Sequence, residues 1–189
     1  MTAQIILVRH GQSAHDHGDW MIDHAGIQTW RDEYDLAGIQ SNSHPPTQLV
    51  QIADGATHII ASDLPRAVAS AERVAPQRKI EVSDLLREVP LKLPHWPTRL
   101  PLVVWEILIH VVWSYRIVRG IDSTEQDRAR AAAAAKWLGE IATNDSTALV
   151  VTHGVFRRLL AQQLLLAGWT NTGRHGGYSN WSFWTFASC

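Results

Sequence analysis

The chain has 189 residues, of which 46% are hydrophobic and 19% charged, and a formal net charge of −1. That length suits a single domain, 1–189, with a full core, and the composition excludes a disordered chain. With 17 basic against 18 acidic residues there is no cationic excess to neutralise a phosphate backbone, so no nucleic-acid partner is expected.

The start of the chain, Met1 to Val8, has an apolar run but no cationic n-region, so Gln4–Val8 reads as a buried strand and not as a signal peptide. Arg9-His10-Gly11 follows at once. Asp16 to Pro46 is polar, His-rich and irregular, with some helix expected in it. Thr47–Ala53 opens a helix, Thr57–Ala61 is a second strand, and Pro65 suits the first turn of a helix to about Val74. Lys79–Val82 is a short third strand.

Four prolines between Pro90 and Pro101 interrupt regular structure. Helical spacing resumes over Leu102–Val118, inside a Trp-rich hydrophobic insertion at about 90–122 that holds Trp96, Trp105 and Trp113. The stretch 100–118 is nearly long enough to span a bilayer, but Glu106, His110 and Arg116 inside it would be costly there. Glu106, His110 and Ser114 form a polar stripe at i, i+4 and i+8. Two readings stand: a core helix with one wet edge, or a lid whose stripe faces a substrate. Contact of 100–118 with a membrane surface is a minor alternative.

Ser123 and Gln126 make a capping-box start for a helix to about Ala142. Thr147–Thr152 is a continuous apolar strand of parallel-sheet character. Gly154 breaks it, Val155–Ala167 is helical, and Ser182–Phe186 is a final strand expected to be antiparallel at an edge. Strands alternating with helices predict an α/β fold: a three-layer α/β/α sandwich around a doubly wound, mostly parallel sheet.

In such sheets ligands bind beyond the carboxyl ends of the strands. Val8-Arg9-His10-Gly11 and Val151-Thr152-His153-Gly154 both place a histidine and a glycine there, the second at a helix start that favours an anion. A third tip carries Ser62-Asp63-Leu64-Pro65-Arg66. Arg9, Arg66, His10 and His153 around one concavity would make an oxyanion site, since guanidinium forks match phosphate oxygens.

The ordered set of Leu7-Val8-Arg9-His10-Gly11-Gln12-Ser13, Ser62-Asp63-Leu64-Pro65-Arg66-Ala67, Leu86-Arg87-Glu88 and Val150-Val151-Thr152-His153-Gly154 resembles the histidine phosphatase superfamily, the phosphoglycerate mutase-like proteins. The resemblance spans Leu7 to Gly154. It implies a phosphoglycerate mutase-like fold and a metal-independent phosphomonoesterase that needs no cofactor. His10 would take the phosphoryl group, and Arg9, Arg66, His153 and the backbone N–H of Val155 would neutralise it. Glu88 would protonate the leaving oxygen and then activate water. The substrate would be a small phosphorylated molecule.

Departures from the family pattern are specific. Asp16 stands where members often carry Asn, and the Gly-rich aromatic continuation after the acid is replaced by Val89-Pro90-Leu91. If Glu88 is not the acid, Asp16, Asp19 and Glu106 are the other candidates. The Arg-Tyr-Gly signature of the mutases is missing, which favours hydrolysis over a mutase-type phosphotransfer. Arg157 and Arg158 are expected to be non-catalytic with one of them solvated, and Arg174 and His175 to lie in a solvated Gly-rich loop.

The rival chemistry is a metal-dependent hydrolase, because His15, His17 and Asp19 have a His-x-His-x-Asp ligand spacing. No strand pattern precedes His15 and Trp20 takes the next ligand position, so a polar loop is the expected outcome and no metal site is assigned. Cys189, the single cysteine, offers no disulfide framework, which suits a cytoplasmic protein. The sequence specifies no oligomeric state.

Overall fold

A computed structural model describes residues 2–15, 21–90, 99–105, 107–108, 111, 125–143 and 145–188. Six strands form one sheet: β1 (Gln4–Arg9), β3 (His58–Ser62), β4 (Ile80–Ser83), β6 (Thr147–Thr152), β7 (Thr170–His175) and β8 (Phe183–Ala187), in the order β4-β3-β6-β1-β8-β7. The β4-β3, β3-β6 and β6-β1 pairs are parallel, and β8 runs antiparallel to both of its neighbours. The fold is α/β with a mostly parallel central sheet flanked by helices.

The apolar run of β1 serves both faces because side chains alternate along a strand. Ile5 and Leu7 join one core with α4 (Glu125–Ile141) and α5 (Gly154–Leu166), through Ala131, Leu138, Phe156 and Leu160. Ile6 and Val8 join the other with α2 (Thr47–Gly55) and α3 (Pro65–Val74), through Leu49, Ala53, Ala67 and Val74. Strands β1 and β6 are buried nearly throughout, as continuous apolar runs predict. Their tips, Arg9-His10 and Thr152-His153, lie side by side, because Arg9 pairs with Thr152 in the parallel register.

Three elements differ from what the sequence pattern suggests. Strand β8 is not at an edge: β7 covers it, and Arg174 and His175 belong to that strand instead of a loop. The β7 sequence, Thr-Asn-Thr-Gly-Arg-His, has no apolar alternation, since an edge strand facing water needs none. In the segment expected to be mostly irregular, His24–Leu36 forms the 13-residue helix α1, started by Asp23, whose carboxylate accepts from the Gly26 N–H at 2.9 Å.

A small second sheet pairs β2 (Met21–Ile22) with β5 (Leu100–Pro101) and supports a satellite core of Ile27, Leu102 and Trp105. Residues 102–105, 107, 108 and 111 are helical, with Val103, Ile107 and Val111 exposed on the opposite side from Trp105. The lid expectation falls mainly outside the described residues, as do Trp96, Glu106, His110, Trp113, Ser114 and the capping Ser123. Among the described residues no helix is long and apolar enough to cross a membrane.

Trp105 is fully buried and donates its indole N–H to the Ile22 carbonyl at 2.9 Å. Trp105→Ala should therefore lower the free energy of unfolding by about 3–5 kcal/mol in urea titrations. A loss below about 1 kcal/mol, small on the scale of core truncations, would show that the satellite core does not depend on the indole.

Candidate active site

Three strand tips and two helix starts meet at the carboxyl edge of the sheet. His10 follows β1 and is buried, with its backbone N–H bonded to the Thr152 carbonyl at 3.0 Å. Its Nδ1 lies 2.7 Å from the Gly11 carbonyl. A carbonyl only accepts, so Nδ1 carries the proton and the Nε2 lone pair is left for an electrophile. Gly11 has no alternative at this position, because a Cβ would sit 2.6 Å from the Trp181 ring.

His153 precedes α5 and is also fully buried, with its ring centroid 5.1 Å from that of His10. Its Nε2 is 2.9 Å from the Ser62 hydroxyl at the tip of β3, while Nδ1 is buried with no hydrogen-bond partner. Burial, then the neighbouring Arg66 and Arg9, pull the His10 pKa down to about 3. Burial, then His10 and Arg66, push that of His153 well below the usual range. Both imidazoles are neutral at physiological pH.

Arg66, in the first turn of α3, is buried and gives Nη1 to the Tyr34 carbonyl at 3.1 Å and to Asp35 Oδ1 at 3.0 Å. Its guanidinium lies 4.5 Å from the centroid of the Tyr34 ring. Arg9 gives Nη1 to the Tyr178 carbonyl. The Nε atoms of both arginines are buried without partners. Buried donors of this kind are rare in folded proteins and signify a missing acceptor. An anion between Arg9, Arg66, His10 and His153 would supply it.

Glu88 closes the remaining side. Its Oε1 accepts from the Val89 and Phe156 N–H groups at 2.9 and 2.8 Å, and Oε2 accepts from the Val155 N–H at 3.2 Å. His153, the N-cap residue of α5, makes no side-chain cap, so a carboxylate from another segment occupies the helix N-terminus. The Val155 N–H, assigned to phosphate by the resemblance, is thus engaged by Glu88. The 85–88 segment is itself held by Arg130, which donates to the Leu85 and Arg87 carbonyls at 3.0 and 2.6 Å.

Two features were not foreseen from sequence. Arg157 is fully buried and Arg158 partly exposed, a choice between the two arginines that the pattern had left open. The signal was present: Arg157 shares an i, i+3, i+4, i+7 stripe with Leu160, Ala161 and Leu164, all of them buried. Tyr34 was hidden in a segment without a clear pattern. Of the suggested metal cluster, His15 packs edge-on against Trp30 and Tyr34, at 5.2 and 6.1 Å between centroids. Asp16, His17 and Asp19 lie outside the described residues. Among the described residues no group of three or more His, Cys, Asp or Glu side chains is arranged to hold a metal.

Comparison with known proteins shows the family and the fold. The model of the histidine phosphatase superfamily, branch 1, matches residues 5–185. Among solved structures, mycobacterial hydrolase 2 is similar at a TM-score of 0.61 and 19% identity, covering 99% of this chain and 83% of that one. A mycobacterial glucosyl-3-phosphoglycerate phosphatase in complex with VO3 gives 0.57 and 19%, covering 97% and 92%. A phosphoserine phosphatase from Entamoeba histolytica in complex with phosphoserine gives 0.54 and 19%, covering 86% and 80%. At these identities the likeness is one of fold. No curated protein matches the chain.

A histidine whose pKa is lowered by folding stabilises the native state above its unfolded pKa of 6.5, and that contribution is lost as pH falls from 6.5 towards 3. His10 alone should account for about 3 kcal/mol of lost stability between pH 6.5 and 4 in urea titrations. His10→Ala should leave only the His153 part of the slope. Stability that is flat across this window would mean that neither imidazole is buried in its neutral form.

Proposed function

Because the chain belongs to the histidine phosphatase superfamily, matched over residues 5–185, we propose that it is a metal-independent phosphomonoesterase that acts on a small phosphorylated molecule through a phosphohistidine at His10. The observation that carries this reading is the neutral His10 imidazole, its Nδ1–H held by the Gly11 carbonyl, beside two arginines whose buried Nε donors lack acceptors. The reading takes 1–189 as one domain, with 90–122 as an insertion that shapes the substrate pocket.

The His10 Nε2 lone pair forms the N–P bond as the P–O bond to the leaving group breaks. Arg9, Arg66 and His153 hold the equatorial oxygens, which carry the charge in a loose transition state. The Glu88 carboxyl is held at the start of α5 by three backbone donors. A bound phosphate would compete for the Val155 N–H and release Glu88 Oε2 towards the leaving oxygen, where Glu88 acts as the acid. It protonates the leaving oxygen, then takes a proton from the water that cleaves the N–P bond. The structural relatives named for phosphoserine and for glucosyl-3-phosphoglycerate support a small, polar phosphomonoester as substrate.

Rapid acid-free quenching with labelled substrate should trap one phosphoryl group on the peptide containing His10, and His10→Ala should remove both label and turnover. Chelation should leave activity intact, and replacing His15 and His17 together should cost under about tenfold, since neither would touch the phosphoryl group. Activity that chelation destroys and metal restores would instead establish the metal-dependent hydrolase. Free phosphate as the product, with no transfer to a second alcohol, separates hydrolysis from mutase-type chemistry.

Glu88→Gln should slow hydrolysis of an alkyl phosphate by about 10²–10⁴-fold, and of an activated aryl phosphate far less, because a good leaving group needs little protonation. Equal losses on the two substrates would remove Glu88 from the acid role.

A further inference from the structure

Arg157 is a fully buried guanidinium that has no carboxylate partner among the described residues. Its Nη1 donates to the Ser182 carbonyl at 2.6 Å and its Nη2 to the Gly177 carbonyl at 3.3 Å, with the group stacked 4.1 Å from the centroid of the Trp184 ring. Burial, with Arg9 and Arg158 nearby, lowers its pKa to about 9. Burying a cation this way is costly unless the bonds it makes are needed. Both acceptors lie on one loop, 176–182, between β7 and β8.

That loop touches Arg9, His10 and Gly11. The Tyr178 carbonyl accepts from Arg9 Nη1, and the Ser182 carbonyl accepts from the Arg9 backbone N–H at 2.9 Å. Trp181 N–H donates to the Arg9 carbonyl at 3.1 Å, and Asn180 Nδ2 to the His10 carbonyl at 3.0 Å. The Trp181 indole lies against Gly11 and donates to the Ser43 hydroxyl at 2.9 Å, which in turn accepts from the Gln12 N–H at 2.9 Å. The loop also carries strain. Trp181 has φ of 60°, a left-handed conformation that is unfavourable for a bulky side chain and persists only where surrounding bonds over-determine it.

We infer that Arg157 is a positioning residue: by bridging the Gly177 and Ser182 carbonyls it fixes the 176–182 loop, and the loop sets the Arg9 guanidinium at the phosphate position beside His10. This inference rests on the phosphatase reading above and adds a device outside the four motifs. Arg157 has no contact with the phosphoryl group. Its action passes through the loop to the Tyr178 carbonyl, which holds the Arg9 side chain, so its energetic effect on phosphate binding is coupled chiefly to that of Arg9. Arg157 is interior to α5, one turn beyond the start that Glu88 caps, which gives the bridge a rigid anchor.

The test is a double-mutant cycle with inorganic phosphate as the probe, read by calorimetry, together with kcat and KM on an aryl phosphate. Arg157→Met should weaken phosphate binding about 10-fold or more, approaching the loss from Arg9→Ala. The double variant should fall within about threefold of Arg9→Ala alone, because nothing remains for the loop to place. Losses that multiply in the double variant, or phosphate affinity unchanged in Arg157→Met, would overturn the inference. A purely structural role would lower the unfolding midpoint with no such coupling.

If Arg157→Met does not fold, Arg157→Lys decides the matter: it keeps the charge but cannot bridge both carbonyls. It should lose at least about fivefold in phosphate affinity, and wild-type affinity would refute the bridge. A wild type that binds no phosphate would overturn the phosphatase reading and this inference with it. Phosphate binding that Arg66→Ala abolishes, with Arg9 and Arg157 acting independently, would leave the phosphatase reading standing and remove only the positioning role.

Discussion

Cations gathered in a buried place, with few carboxylates beside them among the described residues, are the constraint on which this structure turns. Arg66 and Arg157 are buried, and Arg9 reaches the same centre from the end of β1. Asp35 pairs with Arg66, and Glu88 is spent on backbone N–H groups, so the guanidiniums rely on carbonyls from Tyr34, Gly177, Tyr178 and Ser182. Each of those carbonyls belongs to a segment outside the sheet. The site therefore dictates where α1 ends and how the β7–β8 loop is folded.

The same field determines the protonation states. Two imidazoles with centroids 5.1 Å apart, surrounded by guanidiniums and shielded from water, do not take up a second ring proton near neutral pH. A neutral His10 has a lone pair, and the Gly11 carbonyl selects which nitrogen bears it. Burial of the cations thus has two effects: it favours an anion beside them and keeps one ring nitrogen of His10 unprotonated. An anion placed among these guanidiniums would meet unmatched positive charge.

Parallel pairing supplies the geometry on which this depends. Because β1, β6 and β3 run in one direction, Arg9, Thr152 and Ser62 all end at the same edge, and the residues after them share one concavity. Secondary ties lock the tips together. Ser70, in α3, accepts from the Gly11 N–H at 2.9 Å and donates to the Arg66 carbonyl at 2.6 Å, joining the first two motifs. Thr152 donates to the Leu86 carbonyl at 2.7 Å, joining the strand before His153 to the segment that carries Glu88.

By itself the sequence determined the strands that end in Arg9-His10 and Thr152-His153, the helices that begin at Pro65 and Gly154, and the layered α/β class. These are local: a continuous apolar run, a glycine break or a proline at a helix start acts through its own neighbours in the chain. Tertiary structure alone decided that Thr170–His175 pairs as a strand, that β8 is interior, and which carbonyls Arg157 meets in the core. It also decided that Glu88 caps a helix some 65 residues further on, through Val155 and Phe156. The reason is physical. An edge strand, the acceptors of a buried arginine and a cap supplied from elsewhere depend on partners distant in sequence, and no pattern along the chain encodes where those partners will stand.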